Sequence, residues 1–433
     1  MGETARDRAA TAWCLYDWAN SAFATVVLSA VLPVYFAAIA PLGGIPFLGR
    51  TIPTTAFWSY TVAASMLLVA VIAPALGNLA DRHGLKKPLL TACVIAGALA
   101  TIALAFPRGP LLLAGLFLIG NIGFAAGNVF YNAFLPDLAT GADADRLSSR
   151  AYAWGYLGGG LALALVFLLI EGHAFFGLSD KGAATRLGFV VTGAWWLFFA
   201  LPAFRWLREG PAQPERQRLH TPADYLRLGR ELAGYPDLLR FLLAFLLYND
   251  GIQTIIAIAA IFASVEMGLS TGTILGCYLM IQFLAMPATL ITARLATRWG
   301  TKRTVMATLA VFALITIYAA TMHSTLEFWI LGAAVALVLG GSQALSRSLY
   351  AGLVPPQRSA EFFSFFAISS KFASILGPLV FAILIDLTGS NRMAILSLTS
   401  FFIAGMLLLA GVDFARGRQR VSPELSRQER KLP

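Results

Sequence analysis

Charge is scarce in this 433-residue chain: Asp, Glu, Lys and Arg together make up 12%, while hydrophobic residues make up 58%. That leaves too little polar surface to wrap a soluble globule of this size, so a water-soluble fold is excluded. Cysteine and histidine are scarce too, at three and four residues. Cys14, Cys93 and Cys277 stand singly in apolar contexts with no Cys-x-x-Cys spacing. This excludes a disulfide framework and a thiolate metal site, and leaves them as packing residues. His83, His173, His220 and His323 are scattered, and none lies in the middle of an apolar run. Neither the His/Asp/Glu cluster of a membrane enzyme nor a histidine proton relay is expected. No Gly-x-x-x-x-Gly-Lys-Ser/Thr loop occurs, so ATP-driven chemistry would need a partner subunit. Catalytic residues, metals and cofactors are therefore not expected.

What the chain has is apolar runs. Stretches of 18 or more apolar residues read as membrane helices, since about 20 residues span a hydrocarbon core of roughly 30 Å. Twelve spans are predicted, over 13–40, 57–79, 87–106, 111–134, 150–171, 186–207, 238–264, 272–293, 303–322, 326–346, 362–386 and 393–414. An even number puts both termini on one side, and 26 of the 32 Lys and Arg lie in the termini and loops of that side. Positive loops stay in the cytoplasm, so both termini are expected there. The net charge of +10 follows from this asymmetry and calls for no nucleic-acid partner. The first run is too long for a signal-peptide core and reads as an uncleaved anchor. Arg6 stands where myristoylation of Gly2 would want Ser or Thr.

Residues 77–87 read Gly-Asn-Leu-Ala-Asp-Arg-His-Gly-Leu-Lys-Lys, and 293–303 read Ala-Arg-Leu-Ala-Thr-Arg-Trp-Gly-Thr-Lys-Arg. The offset of 216 is half the chain, so two related halves are expected, each turning between its second and third spans at the same short hinge. In the first copy, Gly77 and Gly84 allow close packing and a tight turn. Asp81 can meet an Arg or a helix N-terminus, and Arg82, Lys86 and Lys87 suit anionic headgroups. The second copy has Thr297 in place of Asp81. The first copy resembles the loop between helices 2 and 3 of the major facilitator superfamily, Gly-x-Leu-x-Asp-Arg-x-Gly-x-Lys/Arg-Lys/Arg. The resemblance implies a gate latch on the cytoplasmic side.

Further segments narrow the resemblance. They are Tyr16-Asp17-Trp18-Ala19-Asn20-Ser21-Ala22-Phe23-Ala24-Thr25 with Leu32-Pro33-Val34-Tyr35-Phe36, then Gly340-Gly341-Ser342-Gln343-Ala344-Leu345-Ser346-Arg347-Ser348, and Glu361-Phe362-Phe363-Ser364 through Lys371 to Gly377-Pro378. Together they look like the bacterial branch of the superfamily related to fungal vacuolar amino-acid effluxers of autophagy, over nearly the whole chain. This implies an all-α membrane protein of twelve transmembrane helices in two six-helix bundles, a solute permease with amino acids as the favoured substrate. Two departures weaken an antiport reading: span 5 lacks a Gly-Pro element and span 4 lacks an interior Arg.

Independently of family, the spans hold polar residues that lipid excludes. A charge at a helix centre costs roughly 2.5–3.5 kcal/mol even on lenient scales. Asp250 and Lys371 lie at matching depth in spans 7 and 11, as a structural ion pair or a site for both ends of a zwitterion. Polar stripes fall on Asp17, Asn20 and Ser21 in span 1, on Asn121, Asn128 and Asn132 in span 4, on Asn249, Asp250 and Gln253 in span 7, and on Gln343, Arg347 and Tyr350 in span 10, with the aromatics Trp18, Tyr131 and Tyr248 expected to close over the solute. In the superfamily, these equivalent helices line the central cavity. Helix-to-helix hydrogen bonding is the plainer reading. Asp17 and Arg347 lie nearer the cytoplasmic ends and suit an inner gate as well as a solute ligand. If protons drive transport, the carrier must be a carboxylate, Asp250 or Asp17.

The expected organisation is an N-terminal bundle over 1–207, a cytoplasmic linker with a short interfacial helix over 208–237, a C-terminal bundle over 238–415 and a tail over 416–433. The expected function is secondary transport of a small polar or zwitterionic solute by alternating access. An exporter of amphipathic drugs or lipids with the same fold is the alternative. Expected partners are the solute, protons as a candidate coupling ion, and anionic lipids at the cytoplasmic loops, around a monomer. The expected site is a bacterial inner membrane, with a vacuolar-type membrane second.

Overall fold

The computed structural model describes residues 3–41, 44–52, 54–106, 109–209, 230–265, 267–269, 271–355 and 390–421, with 358, 359, 361–363, 365, 366, 369, 370, 377, 380, 381, 384 and 388 between. Lys371, most of the predicted eleventh span, 210–229 of the predicted linker and the tail beyond 421 lie outside the described residues.

The described chain is helical. Its first part comprises α1 (Glu3–Ala22), α2 (Leu32–Ile39), α3 (Thr54–His83), α4 (Lys86–Ala103), α5 (Pro110–Ala133), α6 (Leu135–Leu138), α7 (Gly141–Glu171) and α8 (Lys181–Trp206). Then follow α9 (Pro236–Val265), α10 (Thr271–Trp299), α11 (Thr301–Ala319), α12 (Thr325–Ala351), α13 (Asn391–Ala410) and α14 (Phe414–Val421). Among the described residues, nine helices are long and apolar enough to cross a membrane. Leu67, Val71, Leu99, Phe198, Leu314 and Leu407 point outward and exposed, as suits a lipid-facing surface.

Span 1 is not one straight helix. Between α1 and α2, residues Phe23–Ala30 form a π-helical stretch that closes with the Val31 amide donating to the Val26 carbonyl. Pro33 explains part of the break, because it has no N–H to continue the ladder. The Ser29 hydroxyl takes the Ala24 carbonyl at 2.8 Å. Helix starts are set by local chemistry. Asp180 caps α8 by accepting from the Ala183 amide at 2.8 Å, and Ser324 with Glu327 forms a reciprocal capping box on α12. A short hairpin pairs β1 (Ile45–Phe47) with β2 (Arg50–Ile52) in the loop before α3, an addition to the all-α expectation. Its turn uses positive φ at Leu48 (49°) and Gly49 (75°).

The chain forms two compact units, 1–134 with 154–214, and 135–153 with 215–433. In the first, α4 packs on α5 and α8, α1 on α8, and α3 on α5. In the second, α11 packs on α12 and α13, α9 on α13, and α10 on α12. The order is the same when α1, α3, α4, α5 and α8 are set against α9, α10, α11, α12 and α13. Small residues permit the closeness: a Cβ on Gly158 would stand 2.6 Å from the Trp18 carbonyl oxygen, and one on Gly159 2.6 Å from Thr25 Oγ1. The segment 135–153, which precedes the apolar part of α7, belongs to the second unit.

Candidate functional site

In the first unit, two predicted polar stripes meet. Asn20 on α1 donates to Asn128 Oδ1 on α5 at 2.7 Å, and the Tyr131 hydroxyl donates to Asp17 at 3.2 Å. Trp13 Nε1 donates to the Tyr131 carbonyl at 2.8 Å and stacks on its ring, so Tyr131 is enclosed. Asn121, on the same helix as Asn128, points elsewhere, donating to Ser65 on α3 at 2.7 Å with no exposure. Asn132 is half-buried.

The second unit repeats the pairing on the equivalent helices. Tyr248 on α9 shares a 2.7 Å hydrogen bond with Ser346 on α12. Asn249 reaches Ser370 at 3.5 Å, and Gln253 and Gln343 are half-buried. Asp250 is fully buried. Its partner from the sequence reading, Lys371, lies outside the described residues.

Arg347, buried to 2% exposure, is held by the start of α7. Its Nε donates to Ser148 Oγ and its Nη2 to the Ser148 carbonyl, both at 2.9 Å, while the guanidinium lies 4.3 Å from the Tyr152 ring centre. Ser148 in turn donates to the Ala344 carbonyl at 2.7 Å. Asp145, one turn earlier, accepts from Ser348 and from Thr301, the first residue of α11. A carboxylate at a helix N-terminus is favoured by the exposed amides and the dipole.

The hinge has a similar construction. Gly84 (φ 64°) and its counterpart Gly300 (φ 86°) both use positive φ, so each turn demands glycine for its backbone. Gly77 is buried within α3, and Arg82 is half-buried. Asp81 pairs with Lys86 at 3.8 Å, both side chains nearly enclosed. Lys86 is thus turned inward instead of toward headgroups, its ammonium 5.9 Å from the Phe134 ring centre. The N-terminus of α4 meets a carboxylate: Glu209 accepts from the Lys86 and Lys87 amides at 3.2 and 2.8 Å. Burial raises the Glu209 carboxyl above its usual range, partly opposed by those two amides. Lys87 Nζ reaches the Arg205 carbonyl near the end of α8 at 3.3 Å. In the second copy, Lys302 Nζ takes the Ala410 and Val412 carbonyls at the end of α13 at 2.7 and 2.9 Å. Each hinge therefore ties the start of the third span to the end of the sixth through a lysine on orphan helix carbonyls.

Sequence reasoning missed Asp145, Ser148, Tyr152 and Glu209. They lie in polar stretches at span ends, where charge is expected and carries no signal. Among the described residues no cluster of His, Cys, Asp and Glu could hold a metal.

Repeated helical units with polar pairs inside apolar spans define an all-α, multi-span membrane protein, and solved structures place its fold in the major facilitator class. The human organic anion transporter MFSD10 matches with a TM-score of 0.75 at 16% identity, over 93% of this chain and 99% of that one. The Escherichia coli fucose:proton symporter FucP matches with 0.71 at 14%, over 95% and 99%. Within that class, the chain belongs to the vacuole effluxer Atg22-like family, which matches residues 5–144 and 140–422. YxiO of Bacillus subtilis (strain 168), an uncharacterized MFS-type transporter, is 35% identical over 97% of both chains. Autophagy-related protein 22 of Saccharomyces cerevisiae (strain S288c) is 25% identical, over 97% of this chain and 95% of its own.

Proposed function

We propose that the chain is a secondary transporter that moves a small polar or zwitterionic solute, an amino acid first of all, across a membrane by alternating access. The observation that carries this reading is the repeated polar pair: Asn20 with Asn128 in one unit, and Tyr248 with Ser346 on the equivalent helices of the other. Polar groups held inside apolar spans are costly and mark solute and ion paths. Family membership and the transporter relatives support the same reading. Asn20, Asn128, Asn132, Asn249, Gln253 and Gln343 are assigned to solute contact, with Lys371 meeting a carboxylate. Arg347 and Asp17 are assigned to the cytoplasmic ends, where Arg347 is gripped by Ser148 and Tyr152. The hinge Gly77, Asp81, Arg82, Gly84, Lys86 and Lys87 is assigned to latching that side. Twelve spans in bundles over 1–207 and 238–415, cytoplasmic termini and a bacterial inner membrane complete the proposal.

Counterflow in proteoliposomes tests it. Radiolabelled amino acids, nucleosides and lipophilic cations are offered against preloaded unlabelled solute. Exchange of an amino acid is the expected result. Thermal stabilisation and exchange by lipophilic cations alone would sink the amino-acid reading and favour the amphipathic exporter.

A further inference from the structure

Six carboxyl side chains are buried among the described residues: Asp17, Asp81, Asp145, Asp237, Asp250 and Glu361. Five have identified partners. Asp17 accepts from Tyr131, Asp81 pairs with Lys86, and Asp145 accepts from Ser348 and Thr301. Asp237 takes Arg416 on both oxygens at 2.7 Å, and Glu361 takes Arg358 at 3.0 Å. Asp250 differs. Among the described residues neither of its oxygens has a hydrogen-bond partner, and the Gly377 backbone approaches them.

Thr254 shares the condition. It sits one turn further along α9 on the same face, fully buried, with its hydroxyl unpartnered. Gly377 faces both residues. A Cβ there would stand 3.0 Å from Asp250 Oδ1 and would overlap Thr254 Oγ1. The two side chains therefore flank one point, closed over by a backbone that only glycine brings so near.

Among the described residues, charged groups on the elements packed against α9 are engaged elsewhere or lie at helix ends, and the Cys277 thiol on α10 packs against Gly332. On α12, Arg347 is held by Ser148, Glu327 caps the helix start, and Tyr350 donates to the Phe362 carbonyl. On α10, Tyr278 donates to the Ile256 carbonyl, while Arg294 and Arg298 are exposed near the helix end. On α13, Arg392 reaches the Ala320 carbonyl and His323. On α14, Arg416 holds Asp237, Arg420 reaches the Gly234 carbonyl, and Arg418 lies beside Gly352. Lys371 and Asp386 lie outside the described residues.

An enclosed carboxylate with no counter-charge among the described residues is too costly to persist through a working cycle unless something neutralises it. A hard metal cation wants about six oxygen ligands, more than one carboxylate and one hydroxyl supply. A solute ammonium needs room that the Gly377 backbone occupies. A proton needs one oxygen and no room.

We propose that Asp250, whose carboxyl meets Thr254 Oγ1 after a side-chain rotation once it is protonated, is a buried proton-binding site loaded and unloaded during transport. Hydronium gives its proton to one carboxylate oxygen and leaves as water. The neutral acid then donates its O–H to Thr254 Oγ1, and transfer back to water restores the carboxylate. The inference rests on the transporter reading, names its coupling ion, and takes Asp250 away from contact with a solute amine.

Infrared difference spectroscopy of the protein in liposomes tests the site without any solute. Acidification is expected to raise a protonated-carboxyl band that Asp250→Asn loses, Asp17→Asn keeps and Thr254→Val shifts in frequency. A band unchanged in Asp250→Asn would overturn the site. So would the absence of any titrating carboxyl band while the protein stays folded, or a sodium-induced stabilisation in its place. With a solute found by counterflow, the wild type is expected to move protons with it. The residual transport of Asp250→Asn should no longer vary with pH; if it keeps the wild-type pH profile, the site is wrong. Counterflow that fails for every solute counts against the transporter reading, whereas the infrared result judges the proton site alone.

Discussion

Ser148 faces two ways: it donates to the Ala344 carbonyl and accepts from Arg347 Nε. Ser148→Ala leaves a buried guanidinium donor without its acceptor, a loss of about 1–3 kcal/mol. A lowered thermal midpoint in detergent, restored by Ser148→Thr, is the expected outcome; an unchanged midpoint would argue that water replaces the hydroxyl. Asp180 offers a pH-dependent case. The Ala183 amide, then the Ser179 hydroxyl, hold its carboxyl below the usual range. A depressed carboxyl contributes stability above the ordinary value of about 4 and loses it as pH falls through the folded value. Amide exchange at Ala183 should therefore quicken on acidification, and Asp180→Asn should flatten that response. At this scale legibility was uneven. Asp250 stood out because an acid in an apolar run is conspicuous, whereas Asp145 and Glu209 sat among polar residues and became visible only through their partners.

The hinge is the element most open to reading in advance. Of Gly77 and Gly84, Gly84 turns the chain with positive φ, as does its counterpart Gly300, while Gly77 stays within α3. Nothing stands within 4 Å of a Cβ built on Gly300, so Gly300→Ala tests conformation without a clash. It should cost about 1–3 kcal/mol, read as a lower thermal midpoint. Gly84→Ala should behave likewise, and a neutral result for both would remove the backbone argument. Span 1 was less legible. Apolar composition over 13–40 is compatible with one helix, but the chain changes to π-helical hydrogen bonding at Phe23 and restarts beyond Val31. Hydropathy reports burial in lipid and is blind to which carbonyl each amide selects.

At the scale of the whole molecule, the repeated hinge implied two related halves, and the helices of each unit pack in the same order. The segment 135–153 departs from a simple division, since it packs within the second unit while continuing into the apolar part of α7. If this segment moves with the apolar part of α7 during transport, its contacts with Arg347 and Ser348 must part. A disulfide between Asp145→Cys and Ser348→Cys, in a chain lacking Cys14, Cys93 and Cys277, should stop counterflow until a reductant is added. Full exchange by the cross-linked protein would show that this contact stays intact through the cycle.

The sequence by itself determined that the chain is a multi-span membrane protein with an internal repeat. Those properties follow from composition, run length and a motif at half-chain spacing, all of which are local or additive. Tertiary structure alone decided which polar groups are mutually satisfied. Asn20 found Asn128, Arg347 found Ser148, and Asp250 and Thr254, unpartnered among the described residues, face the Gly377 backbone. Hydrogen bonds between helices far apart in sequence depend on rotation and close approach, which packing sets and composition does not encode.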